Sequence, residues 1–314
     1  MRPPFLTALS FSEGEIAEAE SKRGILEFRL HLNNECNIRC TYCLDNTRHI
    51  SDPCEDGAGS HLTLDERKDV IKQAKELGAK TVVFTGNGEP LLSNQLLDLI
   101  SFNDTLGLKS VVFSNMLALT ENLAQQFNKS HVSVIGKLNT FNPSLQARLA
   151  GGFPGIYDVF MQRLNMLIGL GYANDYRLAI NSIICKDNFT EIPALFMYCR
   201  ENLIIPWIET VNIVGRATKD LAVEPERITA LFNKIAALDE ASYGYHWKPT
   251  PPILAADYTR YKYVCQVDTA GNVYPTDGLK GECGSIKSKS LEEIINSKTF
   301  VELRKRDRHG CNIS

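Results

Sequence analysis

Cys36, Cys40 and Cys43 stand within eight positions of one another in the run LNNECNIRCTYCLDN, Leu32 to Asn46. Thiolates are soft ligands that suit zinc, copper(I) or an iron–sulfur cluster. Three of them leave a four-coordinate zinc one ligand short. An iron–sulfur cube can use three and keep one iron open to another molecule. A second run, TGNGEPLL (Thr85 to Leu92), offers two glycines and a carboxylate. Gly86 and Gly88 let the backbone turn sharply and expose its N–H and C=O groups. Glu89 would be a carboxylate at the rim, suited to an ammonium, and Pro90 stiffens the exit.

Both runs need strands to aim them. ILEFRLHL (Ile25 to Leu32) alternates and ends at the cysteine loop, so it reads as a strand. TLDERKDVIKQAKELG opens with the capping-box pair Thr63 and Glu66 and stops at Gly78, a helix. TVVFT (Thr81 to Thr85) is a buried strand that runs into the glycine turn. Helices from about Asn94, from Thr120, over Asp158 to Gly171 and from Ile192 separate the further strands SVVFS, HVSVIGK, YRLAINSIIC and WIETVNIVG. Six apolar strands with amphipathic helices between them predict an α/β fold, a partial (β/α)6 TIM-like barrel with a parallel sheet. Ligands in such sheets collect at the carboxyl ends of the strands, where both runs fall. After a helix near Pro225 to Asp239 comes the proline-rich connector KPTPPIL. A hairpin turning at Ala270-Gly271-Asn272 and a helix opened by Ser290 and Glu293 follow. The expected organisation is an N-terminal extension 1–24, the barrel 25–220, a helical linker 221–250 and a small C-terminal α+β auxiliary region 251–314.

The chain has 314 residues, 44% apolar and 23% charged, which fits one large barrel or a barrel with an appendage. Net charge is −3 and no Lys/Arg-rich block occurs, so no nucleic-acid partner is expected. No apolar run is long enough for a bilayer, so no membrane is expected. MRPPFLTALSFSEGE lacks the apolar core of a signal peptide. The expected location is cytoplasmic, with reduced thiols. The nine cysteines are then left for metal ligation, redox chemistry or burial rather than disulfides.

The spacing C-x3-C-x2-C, with Tyr42 before the last cysteine and directly after the first strand, resembles the signature of the radical S-adenosylmethionine (SAM) superfamily. The resemblance implies a [4Fe–4S] cluster held by Cys36, Cys40 and Cys43. Its fourth iron chelates the amino and carboxylate groups of SAM, and an electron from it cleaves SAM to methionine and a 5′-deoxyadenosyl radical. SAM's sulfonium resists reduction, and cysteine-held clusters reach down to roughly −700 mV. TGNGEP resembles the superfamily's GGEP motif, which contacts the SAM amino group, with Asn87 in place of the second glycine; Glu89 would anchor the cofactor. By location only, Ser114 and Asn115, Lys137 and Asn139, and Asn181 resemble the strand-end residues that contact the SAM carboxylate, ribose and adenine. Each serves equally well as a cap or turn residue. The resemblance covers roughly Ile25 to Gly215.

The run GNVYPTDG…GECGSI…SLEEI resembles the Twitch or SPASM auxiliary region found in part of the superfamily. Thr276 stands where that pattern has a cysteine. Only Cys265, Cys283 and Cys311 remain there, so two auxiliary clusters are excluded by count. One second [4Fe–4S] cluster with a further ligand, or none, stays open, with Cys265 otherwise packed in its hairpin or acting in catalysis. Cys185 shares a strand face with Asn181 at the carboxyl end. It is a hydrogen-donor candidate or a small buried residue. Cys199, with Ile192, Leu195 and Phe196 on a helix, reads as core, and Cys54 lies in a polar loop. Trp207 and Glu209 share a face of the sixth strand and with Arg216 could wall a substrate; a solvated ion pair is the default. The expected function is hydrogen abstraction from a small polar metabolite, a sugar or aminocyclitol, giving oxidation or epimerisation. The electron comes from an external low-potential donor of flavodoxin or ferredoxin type. Modification of a ribosomally made peptide is the enzyme alternative. A cluster-containing redox or SAM sensor is the non-enzyme one, and a zinc-binding structural protein a more distant one.

Overall fold

The computed structural model describes residues 1–44, 48–50, 61–249, 253–254, 262–275 and 283–305. Helix α1 (Glu13–Lys22) precedes six strands, β1 (Glu27–Leu30), β2 (Thr81–Phe84), β3 (Lys109–Ser114), β4 (Ser133–Lys137), β5 (Leu178–Ile184) and β6 (Ile205–Thr210). They lie side by side in that order, every neighbouring pair parallel. The crossovers are α2 (Leu64–Glu76), α3 (Leu96–Thr105), α4 (Glu121–Lys129), the pair α5 (Pro143–Ala150) and α6 (Ile156–Gly169), and α7 (Ile192–Glu201). The partial TIM-like barrel read from the alternation is the observed fold. Capping chemistry sets several starts: Thr63 Oγ1 accepts from the Glu66 N–H while the Glu66 carboxylate accepts from the Thr63 N–H at 2.7 Å.

Alternation along the strands makes two cores. Phe28, Leu30, Val82, Phe84, Val112, Val134 and Ile180 face the helices. Val83, Val111, Ile135, Ala179, Ile205 and Trp207 face the other way, into the barrel. The N-terminal extension fills the bottom of that inner space, because Leu6, Ala8 and Leu9 belong to the same inner cluster. The segment is fixed by backbone and side-chain bonds: the Thr7 N–H donates to Tyr176 O at 3.0 Å, and Lys109 Nζ donates to Thr7 O at 3.2 Å. A leucine buried as Leu6 is contributes about 2 kcal/mol over an exposed one.

Helix α8 (Pro225–Tyr243) covers most of the expected linker. It is locked to α7 by the Arg200 guanidinium, which donates two bonds to Asp239 at 2.9 and 2.8 Å; Trp247 adds a third donor and lies against Phe196. The described part of the C-terminal region then returns to the barrel. Strand β7 (Val264–Val267) pairs parallel with β1, and β8 (Val273–Tyr274) folds back antiparallel on β7. The sheet reaches eight strands, ordered β8-β7-β1-β2-β3-β4-β5-β6. The hairpin turns where expected, with the Ala270 and Asn272 N–H groups donating to Asp268. Helices α9 (Leu291–Ile295) and α10 (Lys298–Lys305) cover it, and the Leu291 N–H donates to Gln73 of α2 at 2.7 Å.

Candidate active site

The cysteine loop leaves the carboxyl end of β1 with Cys36, Cys40 and Cys43 all half-buried. Glu35–Cys36 forms a short parallel ladder with Arg48–His49. Elsewhere the loop is held by bonds to other strand ends and to α5. Asn33 Nδ2 donates to Glu89 O at 2.9 Å, and the Glu89 N–H donates to Glu35 O at 2.8 Å. The Thr41 N–H donates to Leu149 O, and the Arg216 N–H to Cys43 O, both at 2.9 Å. Three glycines let these segments close in. A Cβ on Gly88 would lie 1.8 Å from Asn33 Oδ1; one on Gly151, 2.0 Å from Arg39 O; one on Gly215, 2.3 Å from Leu44 O. Gly151 and Gly215 also adopt positive φ, 57° and 65°.

Burial pushes the Cys36 thiol up to about 12 and the Cys40 thiol up to about 11. Lys137 and Arg216 pull Cys40 back down, so cations stand ready where thiolate charge would collect. Without a metal these thiols hold their protons at neutral pH, and a metal must displace them. Among the described residues, no three His, Cys, Asp or Glu side chains converge as a ready cage for one metal ion. The donor set nevertheless fits a cube: three soft thiols on one loop, one for each of three irons, with two cations beside them.

Glu89 turns inward from the rim. Its carboxylate is buried and accepts from Ser114 Oγ at 2.7 Å, the Asn115 N–H at 2.8 Å and the Leu91 N–H at 3.1 Å. Three donors leave one of about four acceptor places open. Burial raises its pKa to about 7, against the lowering effect of those three donors. Asn115 Nδ2 donates to Asn37 at 2.7 Å and lies 3.7 Å from Cys36 Sγ, so the end of β3 touches the cysteine loop directly. Gly86 and Asn87 are half-buried in the turn between. A narrow cleft beside the loop is lined by Ile38, Asn115, Lys137, Ala150 and Phe160.

At the ends of β4 and β5 the expected polar residues split. Lys137 is half-buried, donates Nζ to Asn181 Oδ1, and stands 5.1 Å from the Tyr42 ring centre. Burial lowers its pKa, while Glu209, Cys40 and Cys43 hold it up. Asn139 is buried and serves the fold: its amide donates to Tyr42 Oη at 2.6 Å and accepts from the Ile183 N–H at 2.9 Å. Tyr42 is buried as well, packed with Leu149 and Cys185. Cys185 is fully buried in that same cluster, against which Cys40 packs, and its N–H donates to Asn188 at 2.7 Å.

The C-terminal thiols lie elsewhere. Cys265 on β7 is level with Phe28 of β1 and belongs to the helix-facing core, with Cys283 packed against that core. Burial pushes Cys265 up to about 12 and Cys283 up to about 11. Cys311, Cys54 and Thr276 lie outside the described residues. Cys199 is buried in α7 as read. Sequence reasoning missed Gly151, which seats the loop, and Asn37, which bonds Asn115; the residue types gave no local sign of either partner.

The fold and the loop together define a class. A family model of the radical SAM superfamily matches residues 30–194, more than half of the 314-residue chain, and the chain belongs to that superfamily. Membership implies a [4Fe–4S] cluster and SAM. Among curated relatives, a probable GTP 3′,8-cyclase of Methanococcus maripaludis is 24% identical over 180 residues, 57% of this chain and 57% of the relative. An AdoMet-dependent heme synthase of Nitratidesulfovibrio vulgaris is 25% identical over 310 residues, 88% of this chain and 81% of the relative. SuiB of Streptococcus suis, solved with its precursor peptide SuiA, superposes with a TM-score of 0.69 at 15% identity, covering 95% of this chain and 71% of SuiB. No helix among the described residues is long and apolar enough to cross a membrane.

Proposed function

We propose that the protein is a radical SAM enzyme that abstracts a hydrogen atom from a small polar metabolite of sugar or aminocyclitol type, giving oxidation or epimerisation. The observation that carries this reading is the cysteine loop, three half-buried thiols at the end of β1 seated on three glycines and flanked by Lys137 and Arg216. Cys36, Cys40 and Cys43 would hold the cluster. When bound, the cluster supplies the electron that cleaves SAM and so the 5′-deoxyadenosyl radical. Around it the chain binds and orients. The turn Gly86-Asn87-Gly88 would supply backbone acceptors, and the open acceptor place of Glu89 suits the cofactor's ammonium. Lys137 suits its carboxylate, and Asn115 fixes the loop beside it. The electron comes from an external flavodoxin or ferredoxin type donor. Cys185 is the hydrogen-donor candidate for an epimerisation, with Cys265 behind it in rank because it faces the helices. A second cluster would draw on Cys265, Cys283 and Cys311.

Incubating anaerobically reconstituted, reduced protein with SAM tests the reading. An enzyme of this class forms 5′-deoxyadenosine and methionine, and each of Cys36→Ala, Cys40→Ala and Cys43→Ala abolishes both. Iron-free protein, or turnover that survives loss of a loop thiol, overturns it; cluster and SAM binding without cleavage would make the protein a sensor.

A further inference from the structure

The upper barrel holds a charge that cofactor binding does not use. Trp207 and Glu209 alternate onto one face of β6, and Asn181 of β5 is level with Trp207. Asn181 Nδ2 donates to Glu209 Oε2 at 2.8 Å and to Trp207 O at 3.0 Å, while its Oδ1 accepts from Lys137 Nζ. Lys137 and Glu209 are therefore opposite charges, both half-buried, joined through an asparagine that offers each end its matching group. Held this way they stand ready for separate ligands rather than collapsing onto each other. One layer deeper lies an aromatic floor. The Trp207 indole meets Phe113 edge-on, with ring centres 5.7 Å apart at 90°, and Phe5 of the N-terminal segment props its other side at 5.7 Å. Trp207 itself is buried between these two rings, 2% exposed, while Phe113 is half-buried.

A carboxylate above aromatic rings is suited to an organic cation. The N–H groups make charge-assisted bonds to the oxygens, and the ring faces attract the positive charge. Lys137 lies beside Cys40 and Cys43 and, in the function proposed above, turns to the cofactor's carboxylate. Glu209 then loses the counter-charge that Lys137 gives it among the described residues. We infer that Glu209, over the Trp207–Phe113 floor, is the substrate's cation subsite, and that the substrate is a small amine rather than a neutral sugar. This rests on the assignment of Lys137 to the cofactor.

The chain has two tryptophans, and Trp247 lies against α7, away from the lumen. Trp247→Phe thus leaves Trp207 as the sole indole reporter. Benzylammonium titrated into the full-length variant should change Trp207 emission saturably, about ten-fold more tightly than benzyl alcohol. Glu209→Gln should erase that preference. Equal affinity for the two probes, no saturable response to either, or an unchanged preference in folded Glu209→Gln overturns the inference. If Glu209→Gln does not fold by circular dichroism, Lys137→Met decides: it frees the carboxylate and should tighten benzylammonium several-fold, and unchanged or weaker binding overturns the inference. Iron content and 5′-deoxyadenosine formation report on the cofactor reading separately. Their failure beside an intact amine preference would leave Glu209 a cation subsite for other chemistry, and their success without the preference would sink this inference only.

Discussion

Two groups of thiols in this chain show how one residue type takes two fates. Cys36, Cys40 and Cys43 sit on a loop beyond the end of β1, half-buried, with cations beside them and three glycines beneath. Cys265 sits inside β7, paired to β1 on one side, with no measurable exposure, and Cys283 packs against the same apolar core. A ligand-holding thiol needs a backbone that can be aimed without breaking a ladder, room for the metal and a way to offset thiolate charge. The loop meets all three. The strand meets none of them as clearly, although Arg304 does lower Cys265 somewhat. Burial is favourable for a neutral thiol and costly for a thiolate, so the second pair is read most simply as packing.

Iron content gives the widest separation. Removing any loop thiol should drop iron and 5′-deoxyadenosine formation at least about a hundred-fold, whereas Cys265→Ala and Cys283→Ala should keep near four irons per chain, one cube. A wild-type value near eight, falling to about four in Cys265→Ala, would break the comparison and make the C-terminal pair a second cluster seat. The glycine seats come next. Gly151→Ala should destabilise the apoprotein by about 3 kcal/mol, because its Cβ would meet Arg39 O at 2.0 Å with φ at +57°. Gly107→Ala isolates the backbone part: φ is +64° but nothing lies within 4 Å, so about 1 kcal/mol is expected in urea unfolding. Equal costs at the two positions would mean the seat does not press on the loop.

The barrel itself was readable because its cues are local. TVVFT and SVVFS have a period or an apolar run that few other elements would carry, and Thr63 with Glu66 announces a helix start by chemistry confined to one turn. The cysteine and glycine-turn motifs were readable for the same reason. What could not be read depended on partners distant in sequence. Nothing in VCQV says that it pairs with β1 or that Cys265 faces the helices. Gly151 looks like an ordinary helix C-cap, which it is, until Arg39 is placed against it. Asn139 and Glu89 carried the right groups at strand ends, but a polar side chain there can serve a neighbouring backbone N–H as readily as a ligand. Asn139 bonds the Ile183 N–H, and Glu89 the N–H groups of Leu91 and Asn115. The segment Phe5 to Leu9 was apolar enough to be core, but its sequence does not say that it fills the bottom of the barrel.

Glu89 sharpens the comparison from the carboxylate side, since it is an acid buried beside the loop. Its folded pKa, about 7, lies above the ordinary carboxyl value of 4.5. The native state therefore keeps a proton that the unfolded chain has released between those values. Stability should be highest below about pH 4.5 as far as this group is concerned. It should fall as pH rises to about 7, by up to about 3 kcal/mol, and stay flat above. Unfolding the reduced apoprotein in urea across that window measures it. Glu89→Gln, which cannot ionise, should flatten the slope, and a slope that persists in Glu89→Gln assigns it to other groups.

The smallest effect belongs to Cys265→Ala, and its size is diagnostic. Removing one buried sulfur from the helix-facing core leaves a cavity no larger than the atom, so a loss of about 1 kcal/mol is expected. That value, with iron unchanged, is what packing predicts. Cys265→Ser should cost more than Cys265→Ala, because it puts a hydroxyl among Phe28, Val267 and their apolar neighbours. A metal ligand predicts the reverse order, since a serine oxygen can still coordinate iron where an alanine methyl cannot. The rank of the two variants in urea unfolding, with iron counted in each, therefore decides between core and ligand even if both variants lose only a little stability.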